Sequence, residues 1–319
     1  MENMERLKGK KILVTGGAGF IGGNLVLELI EIGAKVSVLD IKVNSKSVFA
    51  LRNLSSYASL DVVDIRDKEK VFEYFDKSSF DYVYHLAAEP IVEEAFKNPY
   101  STFETNIMGT VNILEGFRRN KKIRGIIVAS SDKAYGKTKK AYTEKDPLKG
   151  DHPYDVSKSS MDLICQSYFT TYNLPVVITR FGNVFGEGDL HFDRIIPGIC
   201  EAVSKKKILK IRSDGTYVRD YIYVKDVVNG YLFLLKNIDR VIGQAYNFSS
   251  QDTLSVLDLV KEAESILHCR IPYRILNTVK NEIPYQHLDD SKIRNLGWKP
   301  KHNLDSTLKS IIQWYKLVL

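Results

Sequence analysis

Lys11-Ile12-Leu13-Val14-Thr15-Gly16-Gly17-Ala18-Gly19-Phe20-Ile21-Gly22 runs from a short apolar stretch through a string of glycines into an amphipathic segment. That order reads as strand, tight turn and helix. Glycine suits the turn because its backbone takes unusual angles, lets a pyrophosphate approach the main chain, and lets the helix pack closely on the sheet. The helix start then offers unpaired N–H groups to the phosphates. Asp40 ends the next apolar stretch, 21 residues after Gly19. A carboxylate there accepts hydrogen bonds from both adenosine ribose hydroxyls and repels a 2′-phosphate, so NAD is expected rather than NADP. Gly16, Gly19, Phe20, Ile21, Gly22 and Asp40 form the expected cofactor cradle.

Working outward, short apolar strands alternate with helix-length amphipathic segments, the pattern of a parallel sheet wrapped by helices. Strands are expected at 11–14, 35–39, 60–63, 82–86, 125–129 and 175–180, with helices at 20–32, 68–75, 101–118 and 155–172. Regularity breaks after Arg180, where Gly182, Gly186 and Gly188 mark loops. A helix at 192–204, a strand at 218–224, a helix at 227–235 and a strand at 245–248 follow, the last returning to the main sheet. The tail reads as a helix at 254–267, a strand at 272–276, and a closing helix with Leu304, Leu308, Ile311 and Tyr315 on one face. With no repeat or low-complexity linker, two interleaved domains are expected: 1–180 with about 220–248, and about 181–219 with 249–319.

A chain of 319 residues with 44% apolar content can bury a large core. Its net charge of +7, from 46 basic and 39 acidic residues, is scattered, and no groove-reading motif accompanies it. Nucleic acid is therefore not an expected partner, and an anionic substrate is. Lys205-Lys206-Lys207, the tightest basic run, reads as a solvated helix end. Cys165, Cys200 and Cys269 lie far apart without metal-ligand spacing, so no metal is expected, and so sparse a set fits a reducing cytoplasm. No stretch approaches the ~18 consecutive apolar residues of a spanning helix, and the opening apolar run is too short for a signal peptide. A cytoplasmic protein without a membrane partner is expected.

Tyr154 and Lys158 stand one helical turn apart, on one helix face. A free phenol titrates near ~10, and bringing it to neutrality takes roughly 4 kcal/mol. One cation about 4 Å away at an effective dielectric of ~20 supplies about that much. The pair is therefore expected to make a phenolate base. Ser131, just past the strand at 125–129, is placed to share the substrate proton.

Those stretches, with Asp64-Ile65-Arg66-Asp67, His85-Leu86-Ala87-Ala88, Thr105-Asn106-Ile107-Met108-Gly109-Thr110, Arg180-Phe181-Gly182-Asn183-Val184-Phe185-Gly186 and Val218-Arg219-Asp220-Tyr221, make the chain resemble the extended short-chain dehydrogenase/reductase family over nearly its whole length. The resemblance implies an α/β fold, a Rossmann-type doubly wound parallel sheet with a smaller α/β C-terminal lobe that grips a nucleotide sugar. It further implies that Asp64 and Ile65 meet the adenine, that Leu86, Ala87, Ala88 and Asn106 lie along the cofactor, and that Asn183 and Arg219 face the substrate, Arg219 on its pyrophosphate. Relatives pair two long helices from each subunit, which implies a homodimer. His85 and His152 read as structural.

Ser131-Asp132-Lys133-Ala134-Tyr135 resembles the Ser-Asp-Lys-x-Tyr stretch of CDP-glucose 4,6-dehydratases. The segments around Glu89 and Arg194, Ala87 to Val92 and Asp193 to Pro197, lean the same way and make those two residues candidates for substrate contact. The chain is shorter than that group and carries the widespread Arg219-Asp220-Tyr221, which leaves the nucleotide open. A 4-epimerase only turns over a ketone, whereas a 4,6-dehydratase also needs a base for the carbon 5 proton and an acid for the hydroxyl leaving carbon 6. The expected roles are Tyr154 as first base, Ser131 as proton relay, and Lys158 as the group that lowers the phenol's pKa and holds the nicotinamide ribose. Asp132 is the expected acid and Lys133 the carbon 5 base, the latter only if its pKa is depressed. The alternatives are a nucleotide-sugar 4-epimerase, a polar surface turn at Asp132-Lys133, and a non-catalytic dinucleotide sensor.

Overall fold

The computed structural model describes residues 7–120, 122–138, 140–250, 252–278 and 283–319. The main sheet takes shape in the first half of the chain, from β1 (Lys11–Thr15), α1 (Phe20–Glu31), β2 (Lys35–Asp40), α2 (Val48–Leu51), β3 (Ser59–Val62), α3 (Lys68–Lys77) and β4 (Tyr82–His85). Next come α4 (Val92–Lys97), α5 (Pro99–Phe103), α6 (Gly109–Arg119), β5 (Gly125–Ala129), α7 (Pro153–Tyr172) and β6 (Val176–Phe181). After β7 (Asn183–Phe185) the chain forms α8 (Ile195–Lys205), β8 (Leu209–Ile211), β9 (Val218–Tyr223), α9 (Val224–Lys236), α10 (Ile238–Val241) and β10 (Ala245–Phe248). The tail supplies β11 (Thr253–Ser255), α11 (Val256–Leu267), β12 (Tyr273–Ile275), α12 (Ser291–Asn295) and α13 (Leu304–Val318).

The described strands make a seven-stranded parallel sheet in the order β10-β6-β5-β4-β1-β2-β3. This is the Rossmann-type order, and it reverses between β1 and β4, where a crevice opens at the strands' carboxyl ends. Central strands such as β4 and β6 are buried at every residue, as continuous apolar runs covered on both faces require. Leu25, Val227 and Tyr231 from α1 and α9 pack on one face, and Val71, Ile113 and Met161 from α3, α6 and α7 on the other. A separate core joins α8, α11 and α13 through Ile199, Leu259 and Ile311.

Several boundaries differ from the sequence reading. The helix expected at 101–118 begins at Pro99 and is interrupted by a π turn, Glu104–Met108. That turn directs Asn106 toward Glu89 and Ser157, a tertiary demand that side-chain periodicity does not record. The loop expected after Gly182 holds β7, which pairs with β9 in a small β11-β9-β7 sheet. Three residues beginning with Asn carry no alternating pattern. The helix expected at 192 begins at Ile195, and residues expected to open the helix at 254 instead form β11. Lys205, Lys206 and Lys207 are exposed at the end of α8, as expected.

Candidate active site

The turn between β1 and α1 is built by backbone constraint. Gly16 has φ +70°, and a Cβ there would lie 2.7 Å from the Ala87 nitrogen; one on Gly22 would lie 2.0 Å from the Gly16 carbonyl oxygen. Only glycine permits so close an approach. Gly19 caps α1 without a side-chain hydrogen bond, leaving the N–H groups at Phe20, Ile21 and Gly22 without a capping side chain. Asp40, at the end of β2, accepts from Ala18 N at 2.9 Å and Ile41 N at 2.8 Å, which fixes its carboxylate beside the turn. Burial raises its pKa and those backbone donors oppose the rise. A dinucleotide fits this cradle: an uncapped helix start for phosphate, a passage only glycine leaves open, and a fixed carboxylate for ribose.

The flanks depart from expectation in places. Leu86, Ala87 and Ala88 follow β4 and are half-buried beside Gly16, where Ala87 N donates to Thr15 Oγ1 at 3.3 Å. Asp64 is paired with the Arg66 guanidinium at 2.6 Å, which holds its carboxyl below the usual range. Ile65 is buried in the core, with its side chain against Gly109. Asn106 spends its amide on the Glu89 backbone, accepting from N at 2.7 Å and donating to O at 3.1 Å, and on Ser157 Oγ at 2.9 Å. It shapes the wall of the crevice, with both amide hydrogens and one oxygen lone pair engaged by the protein. Glu89, expected against the substrate, turns back to accept from Ile91 N at 3.0 Å, while its neighbours Pro90, Ile91 and Val92 line the cavity.

A cavity of about 840 Å³ opens beside this cradle, large enough for a nucleotide-sized ligand. Ser131, Asp132, Lys133 and Tyr154 line one wall, and Asn183, Arg194 and Arg219 another. Ser131 is extended and caps the short 3₁₀ turn Asp132–Tyr135; its Oγ accepts from Lys133 N at 3.2 Å and donates to Asp132 Oδ1 at 3.0 Å. The Tyr154 phenol lines the same wall, and the Ser131 hydroxyl is one of the groups that favour its ionised form. Asp132 is 3% exposed. Burial raises its pKa, against Lys133, Ser131 and Arg219, which favour the carboxylate.

Lys158 behaves differently from the sequence expectation. Its ammonium donates to the Ala129 carbonyl at 2.9 Å and lies 3.6 Å from Met161 Sδ, and burial pushes its pKa down to about 8. Tyr154 in turn is held above its ordinary value by burial and by the Asp132 carboxylate, with Arg194 and Ser131 pulling the other way. Sharing a helix face does not fix where a long side chain ends. The lysine reaches under the end of β5 and is not among the groups that act most on the phenol.

Asn183 opens β7 with a buried Nδ2, and Ser130, with a buried Oγ, also lines the cavity; neither atom has a hydrogen-bond partner among the described residues. Buried polar groups rarely stay unpaired, so both point to a ligand in the cavity. Arg194 pairs with the fully buried Asp189 at 3.1 Å. Arg219, 6% exposed, donates to Val218 O at 2.8 Å and lies over the Tyr217 ring.

The sequence reading missed Gln286. It is 0% exposed, donates from Nε2 to Asp132 Oδ2 at 2.9 Å and accepts from Lys133 Nζ at 3.0 Å. A single glutamine 154 positions from Asp132 carries no local signal. Also unforeseen is the ion pair of Arg212 and Glu93, 2.9 Å apart, two cavity-lining residues from opposite sides. Among the described residues no cluster of His, Cys, Asp and Glu could hold a metal ion, and no helix is long and apolar enough to cross a membrane.

The model of the NAD dependent epimerase/dehydratase family matches residues 12–248. The chain is 30% identical over 322 residues to dTDP-D-glucose 4,6-dehydratase of Bos taurus, covering 96% of this chain and 89% of the relative. It is 29% identical over 328 residues to CDP-glucose 4,6-dehydratase of Salmonella typhimurium, covering 97% and 91%. Among solved structures, UDP-glucuronic acid 4-epimerase from Bacillus cereus in complex with UDP-glucuronic acid and NAD is similar with a TM-score of 0.88 at 27% identity, over 97% of this chain and 100% of that one. DesIV, the dTDP-glucose 4,6-dehydratase from Streptomyces venezuelae with NAD bound, gives 0.86 at 27% identity, over 96% and 97%. Since the family match runs from the first strand of the main sheet to its last, the chain belongs to the NAD dependent epimerase/dehydratase family and is an enzyme that uses NAD.

Proposed function

We propose that the protein is a nucleotide-diphosphate-hexose 4,6-dehydratase, turning its substrate into the 4-keto-6-deoxy sugar nucleotide and water. The observation that carries this reading is the placement of Asp132 and Lys133 on the cavity wall beside Ser131 and Tyr154, Asp132 buried and Lys133 half-buried. An epimerase has no use for a second acid and base there. The two 4,6-dehydratases to which the chain is 30% and 29% identical support the same reading.

When bound, NAD supplies the acceptor for the carbon 4 hydride and returns that hydride to carbon 6. Tyr154 takes the carbon 4 hydroxyl proton, oriented by Ser131. The new ketone acidifies carbon 5, where Lys133 as base removes the proton while Asp132 as acid protonates the carbon 6 hydroxyl, which leaves as water. Lys133 then gives its proton back to carbon 5. Tyr154 now holds one proton too many and Asp132 one too few, and Ser131, hydrogen-bonded to Asp132, lines the cavity wall with both. Passing a proton from Tyr154 through Ser131 to Asp132 resets the site. Arg219 and Arg194 meet the diphosphate and sugar, with Asn183 on the sugar nucleotide.

The same reading divides the chain into an NAD-binding unit, 1–180 with 220–248, and a substrate lobe, 181–219 with 249–319. It makes the protein a cytoplasmic homodimer pairing α5–α6 and α7, where Tyr100, Met108, Leu163 and Tyr172 are exposed. Light scattering checks the dimer. The test of function is incubation with dTDP-, CDP-, UDP- and GDP-glucose and mass spectrometry of the products. Loss of one water, with the alkaline absorbance of a 4-keto-6-deoxy sugar, is expected. A product of unchanged mass and inverted carbon 4 would establish the 4-epimerase instead, the reading that the likeness to the Bacillus cereus enzyme favours.

A further inference from the structure

The Gln286 amide spans the two groups whose charges change during elimination. Its orientation is the one the charged products of the step require: an ammonium on Lys133 has hydrogens and no lone pair, so Oε1 faces it, and Nε2 is thereby turned to Asp132 Oδ2. The backbone that carries it is held on both sides. Gln286 N donates to Val218 O at 3.1 Å and Val218 N to Pro284 O at 3.0 Å on β9, while Tyr142 N donates to His287 O at 2.9 Å and Asp289 N to Tyr142 O at 2.8 Å. Asp220 secures the next two residues, accepting from Leu288 N at 2.8 Å and pairing with His287 Nδ1 at 2.7 Å. So anchored, and with no exposed surface, the amide does not need to reorganise when charge appears beside it.

We propose that Gln286 is a positioning residue for the elimination step, its fixed amide dipole stabilising the carboxylate that forms on Asp132 and the ammonium that forms on Lys133. This rests on the dehydratase reading above. In that step a C–H bond breaks toward Lys133 and the carbon 6 C–O bond breaks as Asp132 delivers its proton, so a negative and a positive charge grow together. The donor end of the amide faces the first and the acceptor end the second, the arrangement by which a preorganised dipole lowers a barrier. Hydride removal at carbon 4 makes neither charge and does not need it.

The experiment compares wild type, Gln286→Leu and Gln286→Glu with whichever nucleotide glucose the wild type dehydrates. It follows two signals in a single turnover: reduced-nicotinamide absorbance, which reports carbon 4 oxidation, and uptake of solvent deuterium at carbon 5 with product release. Gln286→Leu is expected to keep the oxidation rate within a few-fold while product formation falls roughly 10²-fold, the order seen when one preorganised donor is removed. Reduced cofactor should accumulate. Gln286→Glu keeps the acceptor for Lys133 and fills the same space, but sets a second carboxylate against Asp132. With Lys133, Arg219, Asp220, Tyr142, Tyr154 and Asp155 also acting on this corner, that variant should displace the pH profile of product formation upward. Equal losses in oxidation and elimination, or product formation unchanged in both variants, would overturn the proposal. If the wild type makes no dehydrated product from any of the nucleotide glucoses, the functional reading itself fails, and this inference fails with it at a point separable from the variants.

Discussion

The glycine turn and the acid–base corner both line one crevice, yet they are built in opposite ways. The turn is contiguous, residues 16–22, and works through backbone: a positive φ at Gly16, close passage by Ala87, and an uncapped helix start. The corner gathers Ser131, Asp132, Lys133, Tyr154, Arg219 and Gln286 from four separate stretches and works through side-chain charge. A backbone site tolerates almost no added atom. A charge site tolerates a change of shape but not the loss of a group that must carry charge.

Four substitutions sharpen or break that contrast. Tyr154→Phe removes the first proton acceptor and should lower turnover about 10²- to 10⁴-fold, with a melting temperature close to wild type; retained turnover would remove Tyr154 from the chemistry. Gly22→Ala sets a methyl against the Gly16 carbonyl and should cost about 3 kcal/mol together with loss of copurifying NAD. A normal melting curve and full NAD content would mean the turn is not backbone-limited. Asp155 is buried beside Tyr154 and its pKa is raised from 3.8 to about 6, chiefly by burial, with Lys133 opposing and Asp132 adding. A raised carboxylate gives full stability below its unfolded pKa and loses it as pH rises toward the folded value. Asp155→Asn should therefore be more stable than wild type by about 2 kcal/mol near neutral pH and equal to it at about pH 4, in denaturant titrations at both. The smallest effect belongs to His287, whose pKa is raised by its bond to Asp220 against the pull of burial. That contribution is present below the unfolded histidine value and fades as pH climbs through the folded one. With the ring partly exposed, His287→Gln should cost less than about 1 kcal/mol near pH 5.5 and nothing measurable near pH 8.5.

The sequence by itself determined the doubly wound sheet, the glycine turn with Asp40, and the presence of Tyr154, Lys158 and the Ser131-Asp132-Lys133 run. Each is set by neighbours along the chain: apolar runs that must be buried, glycines where no Cβ fits, residues one helical turn apart. The π turn in the helix around Asn106, the strand at Asn183–Phe185, the reach of Lys158 to Ala129 and the Arg66 grip on Asp64 were not legible. Gln286 shows why. Its role depends on a tail segment threading between β9 and Tyr142 to meet Asp132 and Lys133. Local spacing fixes which groups are available; only the folded chain decides which of them touch, because hydrogen bonds and charge act across a few ångströms of space whatever the distance in sequence.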